Sequence, residues 1–239
     1  MNISTSEKVW QGNPEGFQEQ LEQARALERQ NKSIEAYVLY ATACYSHYSS
    51  LLRSHPLQAF LEFRQAKRYA RLLGKIHEGD KFLSALSHGQ CDIIGTILLR
   101  RWLWLRADPK TAMKFLYAGL DKSHVPAHSV ALMIMGIAEG NFLLGKECES
   151  EEGLLLVLTY RQSVEGEPDV LHARRQFCRV LRRAFGLHYK LGHIEMARDL
   201  HCEALECSEL CESKDQFDKI QLEWKILHWP KWVQALLPH

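Results

Sequence analysis

Apolar residues recur along this chain at separations of three and four, the spacing that gathers side chains on one face of an α-helix. Between residues 168 and 191, Phe177, Val180, Leu181, Ala184 and Phe185 form one such face, and Arg175, Arg179, Arg182 and Arg183 form the other. The same pattern predicts about ten helices, at roughly 14–30, 33–53, 57–77, 80–105, 109–122, 126–144, 147–164, 168–191, 193–212 and 214–228. Their boundaries carry ordinary signals. Pro14, Pro56, Pro109, Pro126 and Pro168 fall at or near first-turn positions, where a missing N–H costs least. Asp108 before Pro109 supplies an N-cap. Gly74, Gly145 and Gly192 follow apolar turns, the place for a C-cap glycine. Gly89 and Gly95 are points at which helix 80–105 can divide. No apolar run approaches the ~20 residues of a membrane-spanning helix. CDIIGTILL ends at Arg100 and Arg101, and VALMIMGIA meets Glu139.

Long amphipathic helices joined by short connections imply antiparallel hairpins, and hairpins in series imply a bundle or a solenoid. The segment YKLGHIEMARDLHCEALE resembles a tetratricopeptide repeat. Tyr189 and Gly192 end its first helix, Ala197 and Ala204 stand seven apart on the second, and Leu181, Ala184 and Phe185 fill the upstream apolar positions. Small residues at those places let two crossing helices approach closely. His201 stands where the family prefers an aromatic. Weaker copies of the template fall on Ala24, Leu27, Ala36, Tyr40 and Ala43, on Phe63, Ala66, Gly74, Leu83 and Leu86, and on Ala138, Gly145, Ser150, Leu154 and Val157. The resemblance implies an all-α, right-handed, TPR-like solenoid over 14–229 with a C-terminal capping helix. A tail at 1–13 precedes it and a short apolar tail at 230–239 follows. The runs EQLEQARALERQ, EAYVLYATACYSHYSSLL and PLQAFLEFRQAKRYARL are also similar in helix length and small-residue placement to the opening helices of the huntingtin-associated and SNAP-like TPR group. That likeness implies docking onto a larger helical-repeat protein.

Composition agrees with an all-α chain: 35 Leu and 20 Ala stand against 25 Val, Ile and Thr together among 239 residues. Net charge is +1, so no whole-chain electrostatic case for nucleic acid exists. Cysteine is odd in number at 7, and the N-terminus MNISTSEKVWQGNPEG has no apolar signal core. Together these point to reduced thiols and an intracellular protein, cytoplasmic or nuclear. No phosphate loop, dinucleotide fingerprint, Gly-x-Ser-x-Gly elbow or His-Glu-x-x-His pair occurs, which favours a non-enzyme without cofactor. Cys207 and Cys211 share a helix face while Cys202 lies about 140° away. A metal site from that helix would need His188 or His193 from its neighbour, so no metal is expected.

The remaining candidate chemistry is arginine. In the repeat register, Arg179, Arg182 and Arg183, together with Arg64 and Arg68 of the weaker repeat, fall on positions that line the concave groove of tetratricopeptide proteins. Arg175 extends the first stripe, and Arg64, Lys67, Arg68, Arg71 and Lys75 make up the second. Arg179 and Arg183 match the basic pair of that family's carboxylate clamp. The clamp's Lys and two Asn are missing, with Leu21 and Arg25 in the first repeat instead. The planar arginine fork suits carboxylates and phosphates. The expected function is a protein–protein scaffold whose groove takes an acidic or helical partner segment. A nucleic-acid-binding helical repeat is the alternative, opposed by the balanced charge and by the acidic run ECESEE at 147–152.

Overall fold

The computed structural model describes residues 14–52, 54–76, 80–103, 105–230 and 234, so the expected tails at 1–13 and 230–239 lie almost wholly outside the described residues. Twelve helices occupy the described residues. They are α1 (Pro14–Arg29), α2 (Ser33–Leu51), α3 (Pro56–Gly74), α4 (Asp80–Ala85), α5 (His88–Leu99) and α6 (Pro109–Leu120), followed by α7 (Ala127–Leu143), α8 (Glu147–Thr159), α9 (Arg161–Glu165), α10 (Val170–Lys190), α11 (Ile194–Leu210) and α12 (Lys214–Leu227). The fold is all-α.

Consecutive helices pack as hairpins: α2 on α3, α5 on α6, α7 on α8 and α10 on α11. A second set of contacts links α2 to α5, α5 to α7, α7 to α10 and α10 to α12. These five helices form one layer, and α3, α6, α8 and α11 each pack on a neighbour in it. The arrangement is compatible with a helical repeat. In the α10–α11 hairpin, Ala184, Phe185, Ala197 and Ala204 are fully buried, which lets the two helices approach closely. His201 is stacked on Trp224 at 4.5 Å and edge-on to Phe185 at 5.5 Å.

Two cores meet at α7. Phe63, Ile94, Leu98, Trp102 and Phe115 belong to the first, and Leu154, Phe177, Phe185 and Leu200 to the second. On α7, Met133 and Ile137 face the first core while Ile134 and Met135 face the second. Residues 131–138 are therefore all buried, which is why VALMIMGIA is apolar on every side.

Several expectations change. Helix 80–105 divides at Ser87, not at Gly89 or Gly95. The Ser87 side chain accepts from the Gln90 N–H while the Gln90 side chain accepts from the Ser87 N–H, a complete capping box. The helix then stops at Leu99, and Trp102 and Leu105 pair in an isolated bridge, so the described residues of 101–107 are not helical. Trp102 is buried against Phe60 and Phe63. Helix 147–164 also divides, at Tyr160. Gly145 and Gly192 take positive φ of 74° and 86°, as C-cap glycines should. Gly74 does not. It stays helical, and a Cβ there would collide with the Thr111 methyl, so its work is to let α3 approach α6. The weak repeat at 57–86 has no second helix of repeat length, because α4 spans only six residues and α3 packs on α2.

Candidate functional site

Helix α10 starts at Asp169, whose carboxylate accepts from the His172 N–H at 3.0 Å. It runs 21 residues, long enough to face α2, α5, α7 and α12 with one stripe. That stripe is Arg179, Arg182 and Arg183. Arg183 is 9% exposed and grips Glu139 of α7 with two bonds of 2.9 Å. Arg182 pairs with Glu223 of α12 at 3.1 Å. Arg179 donates to Gln176 at 2.7 Å and lies within electrostatic range of Tyr45 on α2 and Asp92 on α5. Arg100, at the end of α5, adds a further cation near Tyr45, Tyr48, Glu139 and Glu223.

The charges are tuned by one another. Burial pushes Glu139 up, but the Arg183 guanidinium overrides it and holds the carboxyl below its ordinary value. Burial lowers Arg183, and Glu139 more than restores it. Asp92 goes the other way: burial raises it, and the attraction of Arg183 and Arg179 does not fully offset that. Its Oδ1 is buried without a hydrogen-bond partner. Burial lowers Arg179. Burial is the first cause of both shifts, and both side chains are half-buried on this face.

The six expected arginines thus separate. Arg179, Arg182 and Arg183 lie on one stripe of α10, with Glu223 and Glu139 as ion-pair partners of the last two. Arg175 points elsewhere: it is exposed, and its Nη2 donates to the Cys211 carbonyl at 3.4 Å. Arg64 and Arg68 are exposed on α3 and take no part in the ion pairs of the α10 stripe. Lys67, in the same sequence stripe, is fully buried. Its ammonium donates to the carbonyls of Ile97, Leu98 and Arg100, closing the C-terminal end of α5. Burial pushes it down to about 7. Sequence reasoning missed the acids Asp92, Glu139 and Glu223. Glu139 had left a trace, as the lone charge at the end of an all-apolar run.

The thiols form a second cluster. Cys207 and Cys211 share a face, as their spacing requires, but their neighbour is Cys178 of α10 rather than a histidine. His188 and His193 face each other instead, their Nδ1 atoms 3.3 Å apart. The Cys178 thiol donates to Cys207 Sγ at 2.6 Å, which pushes Cys178 up and Cys207 down. All seven cysteines are free thiols. Among the described residues no helix is long and apolar enough to cross a membrane.

In comparisons with known protein families, curated proteins and solved structures, nothing matches this chain. The tetratricopeptide assignment and the superhelical hand are carried by the sequence resemblance alone.

Proposed function

We propose that this protein is a non-catalytic interaction scaffold. It holds an acidic or helical segment of another protein along the α2–α5–α7–α10–α12 layer, taken as the concave side of a TPR-like array. One observation carries the reading: cations gather along that layer. Arg100, Arg179, Arg182, Arg183 and Lys190 lie within electrostatic range of one another or of Asp92, Glu139 and Glu223. A carboxylate-bearing segment lying along them would meet favourable potential from several helices. Arg179 and Arg182 are half-buried, so a carboxylate bonded to them would be gripped where water competes less. Docking onto a larger helical-repeat protein would use the same surface.

The test is capture of partners from cell extract at low salt by the tagged chain and by an Arg179→Glu, Arg182→Glu variant of unchanged helicity. Arg183 is left intact because its pair with Glu139 holds α7 to α10. Loss of an acid-rich protein partner in the variant is the expected result. An identical captured set would refute the reading, and nuclease-sensitive material released steeply by salt would favour the nucleic-acid alternative.

A further inference from the structure

The interaction reading leaves three cysteines unused, and they meet at one point. Cys178 lies in the middle of α10, Cys207 on the last turn of α11, and Cys211 at its C-cap. Their sulfur atoms all lie within 4.8 Å of one another. Cys178 and Cys211 are fully buried, and Cys207 is partly exposed. Cys202, on the same helix as Cys207, faces solvent on its own.

We propose that Cys178, Cys207 and Cys211 form a binding site for a divalent thiophilic cation of the Zn²⁺ class. Three thiolates from two helices are the donor set that soft and borderline cations select over Mg²⁺ or Ca²⁺. A zinc–sulfur bond of about 2.3 Å sets tetrahedral sulfur–sulfur separations near 3.8 Å, inside the limit the cluster already meets. Cys178 and Cys207, now 2.6 Å apart, open by about 1 Å on binding, and the partly exposed Cys207 gives up its 3.5 Å bond to the Arg174 carbonyl as it turns outward. Charge selects the oxidation state. Three thiols that give up their protons to a dication leave the site at −1. The Arg175 guanidinium, bonded to the Cys211 carbonyl at 3.4 Å, supplies the balancing charge beside it. A monovalent cation would leave −2 where two of the three sulfurs are buried, a costly arrangement. The fourth coordination position falls on the Cys207 side, where water or an exogenous ligand completes the tetrahedron. The bound ion would clasp α10 to α11.

The test uses the full chain under a non-thiol reductant, with Co²⁺ as the spectroscopic probe and Zn²⁺ as competitor. One equivalent of Co²⁺ should produce a thiolate-to-cobalt charge-transfer band that Zn²⁺ erases. Cys207→Ser should abolish the band at unchanged helicity, while Cys202→Ser should keep it. In the wild-type chain, which needs no variant to fold, Zn²⁺ should slow alkylation of Cys207 and leave Cys202 and Cys148 unaffected. The proposal is overturned by absence of the band, by its survival in Cys207→Ser, or by equal alkylation with and without Zn²⁺. It is equally overturned if the isolated chain carries a Cys178–Cys207 disulfide and, once reduced, takes up no metal; the cluster is then a redox pair.

Discussion

Replacing Arg183 by Met removes a cation that is 9% exposed and leaves the Glu139 carboxylate of α7 without its two 2.9 Å donors. Breaking one side of a buried ion pair costs about 3–5 kcal/mol, because the survivor is an uncompensated charge. Two features of this site set the value within that range. The Glu139 side chain is 27% exposed, so water recovers part of its hydration, and Arg100 and Lys190 lie within electrostatic range of it. Arg183→Met should therefore fall near the lower figure, about 3 kcal/mol. Glu139→Leu strands the more deeply buried Arg183, whose side chain is 8% exposed, and should cost about 4 kcal/mol. The double variant removes both charges and places two apolar side chains against each other at the α7–α10 contact. Its cost should be about 1–2 kcal/mol, giving a coupling energy of several kcal/mol. Thermal unfolding followed by far-ultraviolet circular dichroism reads this directly. In a chain of this size about 3 kcal/mol lowers the midpoint by roughly 6–12 °C, with the double variant recovering most of the loss. Additive single effects, or a single-variant shift of under about 2 °C, would show that the pair is solvated and that Arg183 is available to a partner.

Three further outcomes follow from the packing. Lys67→Met removes the donor to the carbonyls of Ile97, Leu98 and Arg100 and should destabilise the fold by about 1–3 kcal/mol, read by urea unfolding. Lys67 also confers a pH dependence. Burial holds it at about 7 in the fold against 10.5 in the unfolded chain, so between those values the unfolded chain binds more protons and stability rises with pH. Cys44 and Tyr48, both raised to about 12, act oppositely once their unfolded forms begin to ionise at 9 and 10, so the rise is clean only from about pH 7 to 9. A wild-type minus Lys67→Met difference that is flat across that window would contradict the assignment. The two glycines of α5 should respond with opposite signs. A Cβ at Gly95 would meet Leu116 Cδ2 at 2.7 Å, so Gly95→Ala should lower stability by about 1–3 kcal/mol. Nothing lies within 4 Å of a Cβ at Gly89, so Gly89→Ala should raise it by about 0.5–1 kcal/mol.

The helices were legible because their signal is local. A 3.6-residue period, a proline at N1 and a glycine after the last turn each concern residues within a few positions of one another. Even the failures inside that range have local causes. The break at Ser87 was written as Ser-x-x-Gln, a signature as readable as the glycines that were weighed instead. What lay out of reach was which neighbour each face meets. Arg64, Lys67, Arg68, Arg71 and Lys75 read as one basic stripe with Arg64 and Arg68 lining a groove, yet Lys67 is turned inward, because the carbonyls at the end of α5, some thirty residues further on, point at it. No pattern within α3 encodes the direction of another helix's C-terminus.

The candidate site divides along the same line. Placing Arg179, Arg182 and Arg183 together needed only the α10 period and a repeat register. Knowing that Arg183 is committed to Glu139, 44 residues earlier, and Arg182 to Glu223, 41 residues later, needed the layer itself. Cys178 shows the point most plainly. Cys207 and Cys211 announced themselves as a pair by their spacing, and geometry on one helix correctly excluded Cys202 as the third thiol. The residue that completes the set sits 29 positions upstream on the partner helix of the same hairpin. In a hairpin array a residue's chemical neighbours come from the facing helix at an offset set by the hairpin's length. Sites in such folds are therefore found by aligning facing helices, and isolated motifs along one helix supply only half of each.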